Sequence, residues 1–463
     1  MSGGAATEPA PASSFAAQRA RSHADFRRKL PVHLARLAWS AEQISAHQTL
    51  ELRALLRRAL ASSPFHARRL GRLDPDAFTL GDLRSLPIMT KAEMMASFDD
   101  VVTDRRVTLR SVDAQLARTG DTPGLVEDEY LCLASGGSSG LRGVFVWHWR
   151  DCSDFLLSQL RASMARALAG GGPPPGGMLG ALVAAGSAVH ATRAFAALFS
   201  DDSMRLRSIA ATLPLGEIVA RLNEIRPMTL LGYPSLLTLL AEEKRSGRLA
   251  IAPASITGTS EVFAPERQAE IARVFGCPVS DSFGSSEGLS GVSAPGEAAI
   301  DLASDLAIVE LVDEHDRPVA PGETSAKALV TVLYNRAQPL IRYELTDRMR
   351  QHPPSPAHGH LRVSVEGRTD DAFAYGSLRV HPLAVRSVFV KTPQVSEYQV
   401  RQTANGIAVA VVALAPFDRD ALAGKLAESL ARAGLRDPTV SLEIVERIAR
   451  HPQTGKVARF IPL

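Results

Sequence analysis

The sequence predicts an α/β fold, α+β in places, with a large N-terminal domain of packed doubly wound sheets plus a β-rich subdomain, and a small α+β C-terminal domain. Three observations predict this fold. Short apolar runs alternate with amphipathic helical patterns up to Ser282. After Asp301, the sequence pattern predicts mainly short strands joined by turns. Beyond the polar break at Glu366–Asp371, the chain shows a compact strand–turn–strand–helix–strand pattern.

The first part of the chain is predicted to be helical and then to form a hairpin. Apolar residues at three- and four-residue spacing predict helix from Ala35 to Leu70, broken at Ser63-Pro64. Thr90-Lys91-Ala92-Glu93 has the form of a capping box and predicts the start of another helix. Two short apolar runs within Leu131 to Trp147 flank a turn rich in Gly and Ser, which predicts strand, turn and strand.

The middle of the chain alternates between helix and strand. Asp154 to Leu168 is amphipathic and predicts a helix, and the continuous apolar run Met178 to Ala185 predicts a buried strand. The alternation that follows is typical of a doubly wound α/β domain. It comprises helix 215–225, strand 229–231, helix 235–246, strand 255–258, helix 265–274 and strand 279–282.

The last third of the chain divides into two parts. Strands 307–313 and 328–333 belong to a β-rich region, and an Asn405-Gly406 turn joins strands 397–402 and 407–414. Helix 418–433, ended at Gly434, and strand 439–446 complete the second part. We place the domain boundary near Asp370, which divides the chain into a disordered tail 1–14, a large domain 15–369 and a small domain 370–463.

The composition is that of a soluble globular protein, with 45% hydrophobic and 22% charged residues. A net charge of +3 provides no basic field for nucleic acid. Cys132, Cys152 and Cys277 form no C-x-x-C pair or zinc spacing, which predicts buried thiols in a reducing compartment. The N-terminus lacks the pattern of a signal peptide, and no apolar run could span a membrane. We therefore expect a cytoplasmic protein without a membrane partner.

A loop of small residues, Ser135-Gly136-Gly137-Ser138-Ser139-Gly140, lies between the two strands of the predicted hairpin. Consecutive backbone N–H groups and hydroxyls suit a polyphosphate, because small residues let the backbone approach the anion. The chain has no G-x-x-x-x-G-K-[ST], which excludes a Walker-type NTPase. Taken alone, a flexible turn is the better explanation of this loop.

Two further segments follow predicted strands. Thr257-Gly258-Thr259-Ser260-Glu261 closes a short strand, and Asp281-Ser282-Phe283-Gly284-Ser285-Ser286-Glu287-Gly288 runs from a strand into a turn. The second turn presents a hydroxyl beside a carboxylate, a pair that could hold a phosphate oxygen and Mg²⁺, which favours hard oxygen ligands. An ordinary strand-end turn explains each segment about equally well.

Three segments nearer the C-terminus carry charged residues: 338–348, 366–371 and 455–460. Asp347 could accept hydrogen bonds from both ribose hydroxyls of a nucleotide. The alternative is a solvated ladder of ion pairs formed by Arg342, Glu344, Asp347 and Arg348. A polar linker would explain Glu366–Asp371, and an exposed tip of the chain would explain Gly455-Lys456.

In this order, the six segments resemble the AMP-forming acyl/aryl-CoA synthetase superfamily, and most closely its phenylacetate–CoA ligase-like branch. The resemblance covers nearly the whole chain after the tail. It also includes Leu52-Arg53, Ser63-Pro64-Phe65, Leu86-Pro87-Ile88-Met89-Thr90-Lys91, Gly232-Tyr233-Pro234-Ser235 and Phe275-Gly276-Cys277-Pro278-Val279.

The resemblance implies a role for individual residues. The loop that holds the β- and γ-phosphates corresponds to Ser135, Gly136, Gly137, Ser138, Ser139 and Gly140, and the adenine-side wall corresponds to Gly258, Thr259 and Ser260. The pair that contacts the α-phosphate and Mg²⁺ corresponds to Ser286 and Glu287, and the residues at the ribose correspond to Asp347 and Arg368. Asp370 resembles the hinge, and Lys456 resembles the lysine that bridges the carboxylate and the α-phosphate. We assign Asp281, Ser282, Phe283 and Gly284 to the same nucleotide site, and His190 and Tyr233, together with Phe283 and Gly284, to the acyl pocket.

Two positions depart from the family pattern. The phosphate loop continues with Leu141-Arg142-Gly143 instead of a Lys or acidic residue followed by Pro, and Gly136 occupies a position where Ser is usual. These departures affect the detailed contacts of the loop, while its backbone donors remain. A structural role for His190 is at least as well supported as a role in the pocket.

The resemblance implies an ATP- and Mg²⁺-dependent enzyme that converts a carboxylic acid, with an aromatic acid as the first choice, to acyl-AMP and then transfers the acyl group to a thiol. CoA is the default acceptor, and the alternatives are the phosphopantetheine of a carrier protein or a small amine. A nucleotide-binding interaction protein without catalysis ranks lower, because Lys456, Glu287 and Asp347 are all present. The acid, the acceptor, the pathway and a homodimeric state are left open.

Overall fold

The computed structural model describes residues 12–135, 143–172, 177–200, 204–211, 213, 215–368, 373–376, 378–380, 383–390, 392, 394–413, 416–450 and 458–463. Within these ranges, no helix combines the length and apolar character needed to cross a membrane.

Helices dominate the N-terminal part, and polar caps set their ends. Ser40 and Gln43 form a capping box at the start of the second helix, and Ser63 ends that helix and caps the next. The predicted capping box of Thr90 and Glu93 is confirmed. The helices are α1 (Ala12–Arg36), α2 (Ala41–Ser62), α3 (Pro64–Leu70), a 3₁₀ helix (Leu80–Ser85), α4 (Lys91–Ala96), α5 (Phe98–Val101) and α6 (Leu109–Arg118).

Two predictions for this part need correction. Helix α1 begins at Ala12, so the last residues of the predicted tail 1–14 are helical. The predicted helix from Ala35 to Leu70 is also interrupted before Ser63, because α1 ends at Arg36 and Ser40 starts a new helix with its own cap. Apolar spacing alone did not reveal this break, since both helices present an apolar face.

The predicted hairpin is confirmed. Strands β1 (Leu125–Val126), β2 (Tyr130–Ser135) and β3 (Gly143–His148) form an antiparallel sheet, in which Ser135 pairs with Gly143. Helix α7 (Trp149–Ala169) follows and packs against α1.

The alternating middle region builds most of the largest sheet. Its elements are β4 (Met178–Ala184), α8 (Ala191–Phe199), β5 (Met204–Ala210), α9 (Leu215–Ile225), β6 (Thr229–Gly232), α10 (Pro234–Arg245), β7 (Ser255–Thr259), α11 (Pro265–Phe275), β8 (Val279–Gly284), β9 (Ser290–Ser293) and β10 (Ile300–Leu302). The β-rich region adds β11 (Ala307–Val312), β12 (Lys327–Val332), β13 (Tyr343–Leu345), β14 (Asp347–Gln351) and β15 (Arg362–Arg368).

The nine-stranded sheet has the order β14-β15-β10-β9-β8-β7-β6-β4-β5. Five of the nine strands, β5, β4, β6, β7 and β8, run parallel to one another. The other four, β9, β10, β15 and β14, each pair antiparallel with their neighbours. The parallel part confirms the doubly wound prediction, and β11, β12 and β13 form a separate antiparallel sheet. The carboxyl ends of these five parallel strands therefore meet at one edge, where ligands bind in such folds.

The C-terminal part contains β16 (Phe373–Tyr375), β17 (Leu378–Val380), α12 (Leu383–Val390), β18 (Val395–Thr403), β19 (Gly406–Ala413), α13 (Arg419–Arg432), β20 (Thr439–Ile444) and β21 (Phe460–Ile461). Four of these strands form a sheet of order β20-β19-β18-β21. The predicted hairpin of β18 and β19 is confirmed, but Thr403 pairs with Gly406, so the turn residues are Ala404 and Asn405 and Gly406 belongs to β19. Phe373, Val400 and Leu426 share a hydrophobic core separate from that of the large sheet. Strand β15 ends in the large sheet at Arg368. The predicted domain boundary near Asp370 lies outside the described residues and stays a prediction.

Candidate active site

Three of the predicted segments meet at the carboxyl edge of the parallel strands. Gly232 of β6 pairs with Gly258 of β7, and Gly258 pairs in turn with Asp281 of β8. Thr259 pairs with Ser282. Residues that are far apart in the chain therefore lie side by side at the edge where the topology favours a ligand.

The turn after β7 is shaped by close packing. A Cβ at Gly258 would lie 2.2 Å from Cδ1 of Phe263, so a larger residue would displace the ring. Ser260 adopts a positive φ of 66°, an uncommon conformation for a residue other than glycine. The Glu261 carboxylate accepts hydrogen bonds from the Ser235 amide (2.9 Å) and hydroxyl (3.0 Å). The turn is thus attached to the N-terminus of α10.

Gln159 of α7 supports the end of β8. The Ser282 hydroxyl donates to Oε1 of Gln159 (2.8 Å), and Nε2 of Gln159 donates to the Phe283 carbonyl (3.3 Å). Gly284 is exposed, and a Cβ there would lie 2.5 Å from Nε2 of Gln159. Sequence reasoning missed Gln159, because a glutamine within a helix has no local signal that identifies a distant strand as its partner.

Asp281 is buried at this strand end. Its amide donates to Oγ of Ser293 (2.8 Å), which ties β8 to β9. Burial raises the pKa of the Asp281 carboxyl to about 7, and a backbone hydrogen bond from Ser282 opposes the rise. Near neutral pH this carboxyl group can thus accept or donate a hydrogen bond.

The turn after β8 is held by several hydrogen bonds. The Ser285 amide donates to the Leu289 carbonyl (2.9 Å), and the Leu289 amide donates to the Ser285 hydroxyl (3.2 Å). The Tyr334 hydroxyl donates to the Gly288 carbonyl (2.8 Å). Gly288 has a φ of 114°, and a Cβ there would lie 2.6 Å from Cη2 of Trp147. Ser286 and Glu287 are therefore presented by a well-defined turn.

Glu287 lies in a buried position close to Tyr343. It is 6% exposed, and its charge adds to burial in raising the pKa of the Tyr343 phenol. The Tyr343 hydroxyl is buried and has no hydrogen-bond partner in the described part of the chain. A buried carboxylate beside an unsatisfied hydroxyl is a polar arrangement that a ligand could complete.

The residues present fit Mg²⁺ bound together with a nucleotide. The described residues contain no cluster of three or more His, Cys, Asp or Glu side chains that could hold a metal. Mg²⁺ is usually held by one or two carboxylates, with substrate phosphates and water as the other ligands. Glu287 could supply that carboxylate.

The two residues predicted at the ribose are brought together. Asp347 at the start of β14 pairs with Arg368 at the end of β15, and Asp347 is buried. The alternative of a solvated ion-pair ladder does not describe this segment, because buried Arg342 pairs with Glu310 (2.9 Å) and contacts two backbone carbonyls. Lys327 pairs instead with Glu344 (2.6 Å).

The two residues assigned only to the acyl pocket occupy different settings. Tyr233 is fully buried, and its hydroxyl accepts a hydrogen bond from the Ala185 amide (3.0 Å), which links the ends of β6 and β4. His190 is partly exposed at the N-cap position of α8. Phe283 packs against the core formed with Trp147 and Phe155. The contact of these side chains with an acyl group stays a prediction.

Several predicted site residues lie outside the described residues: Gly136, Gly137, Ser138, Ser139, Gly140, Asp370 and Lys456. Ser135 is described, and its hydroxyl accepts a hydrogen bond from the Gly143 amide (3.1 Å), which joins the end of β2 to the start of β3. For Arg368 only the backbone is described. The roles of all these residues stay predictions.

Comparison with known proteins supports the predicted resemblance, although no family model matches the chain. The phenylacetate-coenzyme A ligase of Escherichia coli (strain K12) is 25% identical over 386 residues, covering 79% of this chain and 81% of that enzyme. The phenylacetate-coenzyme A ligase of Aromatoleum evansii is 27% identical over 190 residues, covering 38% of this chain and 41% of that enzyme. The second alignment thus spans less than half of its relative.

The fold is that of a solved acyl-CoA ligase. The structure matches 2-hydroxyisobutyryl-CoA ligase, crystallised in the postadenylation state with R3-HIB-AMP, at a TM-score of 0.66 and 17% identity. The match covers 92% of this chain and 90% of that chain. The predicted α/β fold class and the resemblance to the phenylacetate–CoA ligase-like branch are confirmed.

Proposed function

We propose that this protein uses ATP to convert a carboxylic acid to acyl-AMP with release of pyrophosphate, and then transfers the acyl group to the thiol of CoA. The observation that carries the proposal is the position of Glu287. It is buried in the hydrogen-bonded turn after β8, at the carboxyl edge of the parallel sheet. Its charge helps to raise the pKa of the Tyr343 phenol, whose hydroxyl has no hydrogen-bond partner among the described residues. The similarity to phenylacetate-coenzyme A ligases supports this function.

The strand-end turns provide the contacts for the nucleotide. Gly258, Thr259 and Ser260 form the wall against which adenine would lie, and the Asp347 carboxylate accepts the two ribose hydrogen bonds. The Ser286 hydroxyl donates to an α-phosphate oxygen. When bound, Mg²⁺ neutralises phosphate charge, and Glu287 provides its carboxylate ligand.

The first reaction needs positioning and electrostatic stabilisation, and no side-chain nucleophile. A carboxylate oxygen of the acid forms a bond to the α-phosphorus while the bond from that phosphorus to the pyrophosphate oxygen breaks. Two anions approach each other in this step, so a positioned cation lowers the barrier. Lys456 is the residue to which we assign that role.

In the second reaction the thiol sulfur attacks the acyl carbonyl carbon, the bond to the AMP oxygen breaks, and the thiol proton is lost. The thiol needs the space that Lys456 occupies in the first reaction. We therefore assign two domains, 15–369 and 370–463, that change their relative orientation about a hinge at Asp370.

The relatives named above make an aromatic or arylacetic acid our first choice of substrate. A carrier-protein phosphopantetheine or a small amine would use the same acyl-AMP and is the alternative acceptor. The oligomeric state, with a homodimer as one possibility, is a separate question for sedimentation analysis.

The test is a panel of aromatic, arylacetic and aliphatic acids incubated with ATP and Mg²⁺, with AMP and pyrophosphate measured as products. Each acid is assayed with and without CoA, and the thioester is identified by mass. The proposal requires acid-dependent AMP formation that Lys456→Ala abolishes. Formation of ADP, or ATP binding without AMP from any acid, would contradict it, and the latter would favour a non-catalytic nucleotide-binding protein.

A further inference from the structure

A chain of hydrogen bonds leads from the turn after β7 to the C-terminal part of the protein. Glu261 of this turn holds both the amide and the hydroxyl of Ser235 at the start of α10. Nη1 of Arg450 donates to the same Ser235 hydroxyl (3.2 Å). Ser235 is 3% exposed, so these contacts lie away from solvent.

The second terminal nitrogen of Arg450 binds the C-terminal sheet. Nη2 of Arg450 donates to Oε1 of Glu397 on β18 (3.2 Å). Glu397 is 4% exposed, and burial raises its pKa to about 7, a rise that the Arg450 guanidinium opposes. One planar guanidinium therefore holds a hydroxyl of the large domain and a carboxylate of the C-terminal sheet at the same time.

The surroundings of this contact are loosely packed. A cavity of about 330 Å³ separates α10 and α11 from α12 and β18, and its walls include Pro234, Phe263, Phe389 and Tyr398. Across the same boundary, Nη2 of Arg267 donates to the Val395 carbonyl (2.8 Å). Around this cavity, directed polar contacts therefore link α10 and α11 to the C-terminal part.

We propose that Arg450 is a positioning residue for the acyl-AMP-forming half-reaction, because it joins the turn after β7 to β18 and so holds the C-terminal part in the orientation that this step needs. The inference rests on the proposed function. Arg450 lies six residues before Lys456 in the sequence. Ser260, with its positive φ, lies in the turn that Glu261 anchors, which connects the nucleotide edge to the same contact.

A simple stabilising ion pair would have different consequences. A buried ion pair contributes little net stability, since the cost of desolvating both charges offsets their attraction. Loss of a contact that orients the C-terminal part should slow the half-reaction that requires this orientation. It should leave the half-reaction that requires the other orientation unchanged. A lysine cannot replace the arginine, because a single ammonium lacks the planar fork that reaches two partners.

The test compares Arg450→Gln, Arg450→Lys and the control Arg447→Gln, which alters an exposed arginine nearby. Pyrophosphate release measures the first half-reaction, and consumption of a supplied acyl-AMP with CoA measures the second. We expect Arg450→Gln to lower kcat of the first reaction about 10- to 100-fold, as for loss of a charged hydrogen bond. KM for ATP and the second reaction should change less than about 2-fold, and Arg450→Lys should recover only part of the loss. Equal losses in both half-reactions, or no loss, would overturn the proposal.

A second measurement on the full chain does not depend on catalysis. Hydrogen exchange of Arg450→Gln should accelerate at residues 234–238 and 395–400 together, and Ser235→Ala should reproduce part of this change. If wild-type protein forms no AMP, the proposed function fails while the contact is still tested by exchange. Unchanged exchange in both segments would then show that Arg450 does not hold the two parts together.

Discussion

Asp347, the first residue of β14, pairs with Arg368, the last residue of β15. The register of these strands shifts between Arg348 and Met349, so an irregularity lies beside the pair. Such irregularities re-aim side chains near functional sites. The pairing brings together two positions that the resemblance assigned independently to the ribose.

Asp347→Asn should raise KM for ATP while the protein stays folded. The amide keeps the shape of the side chain but loses the charge that strengthens two hydrogen bonds to ribose. We therefore expect KM for ATP to rise roughly 10- to 100-fold. Initial rates of pyrophosphate release against ATP concentration measure the effect. Glu314→Gln, at an exposed position in the β11–β12 connection, is the matched control. An unchanged KM in Asp347→Asn would show that this carboxylate does not contact the nucleotide.

Glu287→Gln should increase the Mg²⁺ concentration needed for half-maximal adenylation and should lower the maximal rate. The amide is a weaker ligand for a hard divalent cation than the carboxylate. A Mg²⁺ titration at saturating ATP measures both effects, and circular dichroism verifies folding. Normal metal dependence in the variant would leave Glu287 as a strand-end carboxylate without a catalytic role.

Asp281→Asn should stabilise the protein above pH 7 and have little effect below pH 4. The folded state holds the Asp281 proton up to about pH 7, whereas an unfolded chain releases it near the ordinary value of 3.8. Asp281 therefore costs stability progressively as pH rises between these values, and an amide avoids that cost. Thermal unfolding across this pH range measures the difference.

Asp313→Asn provides a control of opposite sign. Hydrogen bonds from the Arg317 backbone and side chain lower the pKa of Asp313 to about 2. Its contribution to stability is present above the ordinary value of 3.8 and is lost as pH falls through 2, so this variant should be destabilised at neutral pH. If Asp281→Asn behaves like Asp313→Asn, burial does not control the titration of Asp281.

Gly288→Ala should destabilise the protein and reduce adenylation. The added Cβ would meet Trp147 at 2.6 Å in a backbone conformation with a φ of 114°. Overpacking of this kind typically costs about 1–3 kcal/mol. Gly296→Ala is the control, because Gly296 also has a positive φ but open space around its Cβ position. Denaturant unfolding should show the larger loss for Gly288→Ala, and equal losses would exclude a role for the Trp147 contact.

Lys456→Ala and Asp370→Pro should separate the two half-reactions. Loss of the ammonium should lower adenylation on the order of a hundred- to a thousandfold and spare the use of a supplied acyl-AMP. Proline fixes φ near −65° and should hold the hinge in one orientation, which retains one half-reaction and impairs the other. Both variants are assayed for pyrophosphate release and for acyl-AMP consumption. Wild-type rates of both steps in Asp370→Pro would place the hinge elsewhere.

Local patterns predicted much of the framework and the polar turns of the candidate site, whose role stays a prediction. The alternation of apolar and amphipathic segments identified β6, α10, β7, α11 and β8, because burial of one face imposes a period on each element by itself. The capping box at Thr90 and the turn at Asn405 were predictable for the same reason, since their hydrogen bonds and backbone angles involve neighbours in sequence.

The sequence by itself determined the kinds of elements, the polar turns that end β7 and β8, and the resemblance that names a chemistry. Tertiary structure alone decided which distant groups meet: Gln159 with Ser282, Asp347 with Arg368, and Arg450 with Ser235 and Glu397. It also decided that Tyr233 is a buried support for β4. The physical reason is that periodicity records only whether a residue faces the core, whereas its partner depends on strand order and packing between segments far apart in the chain.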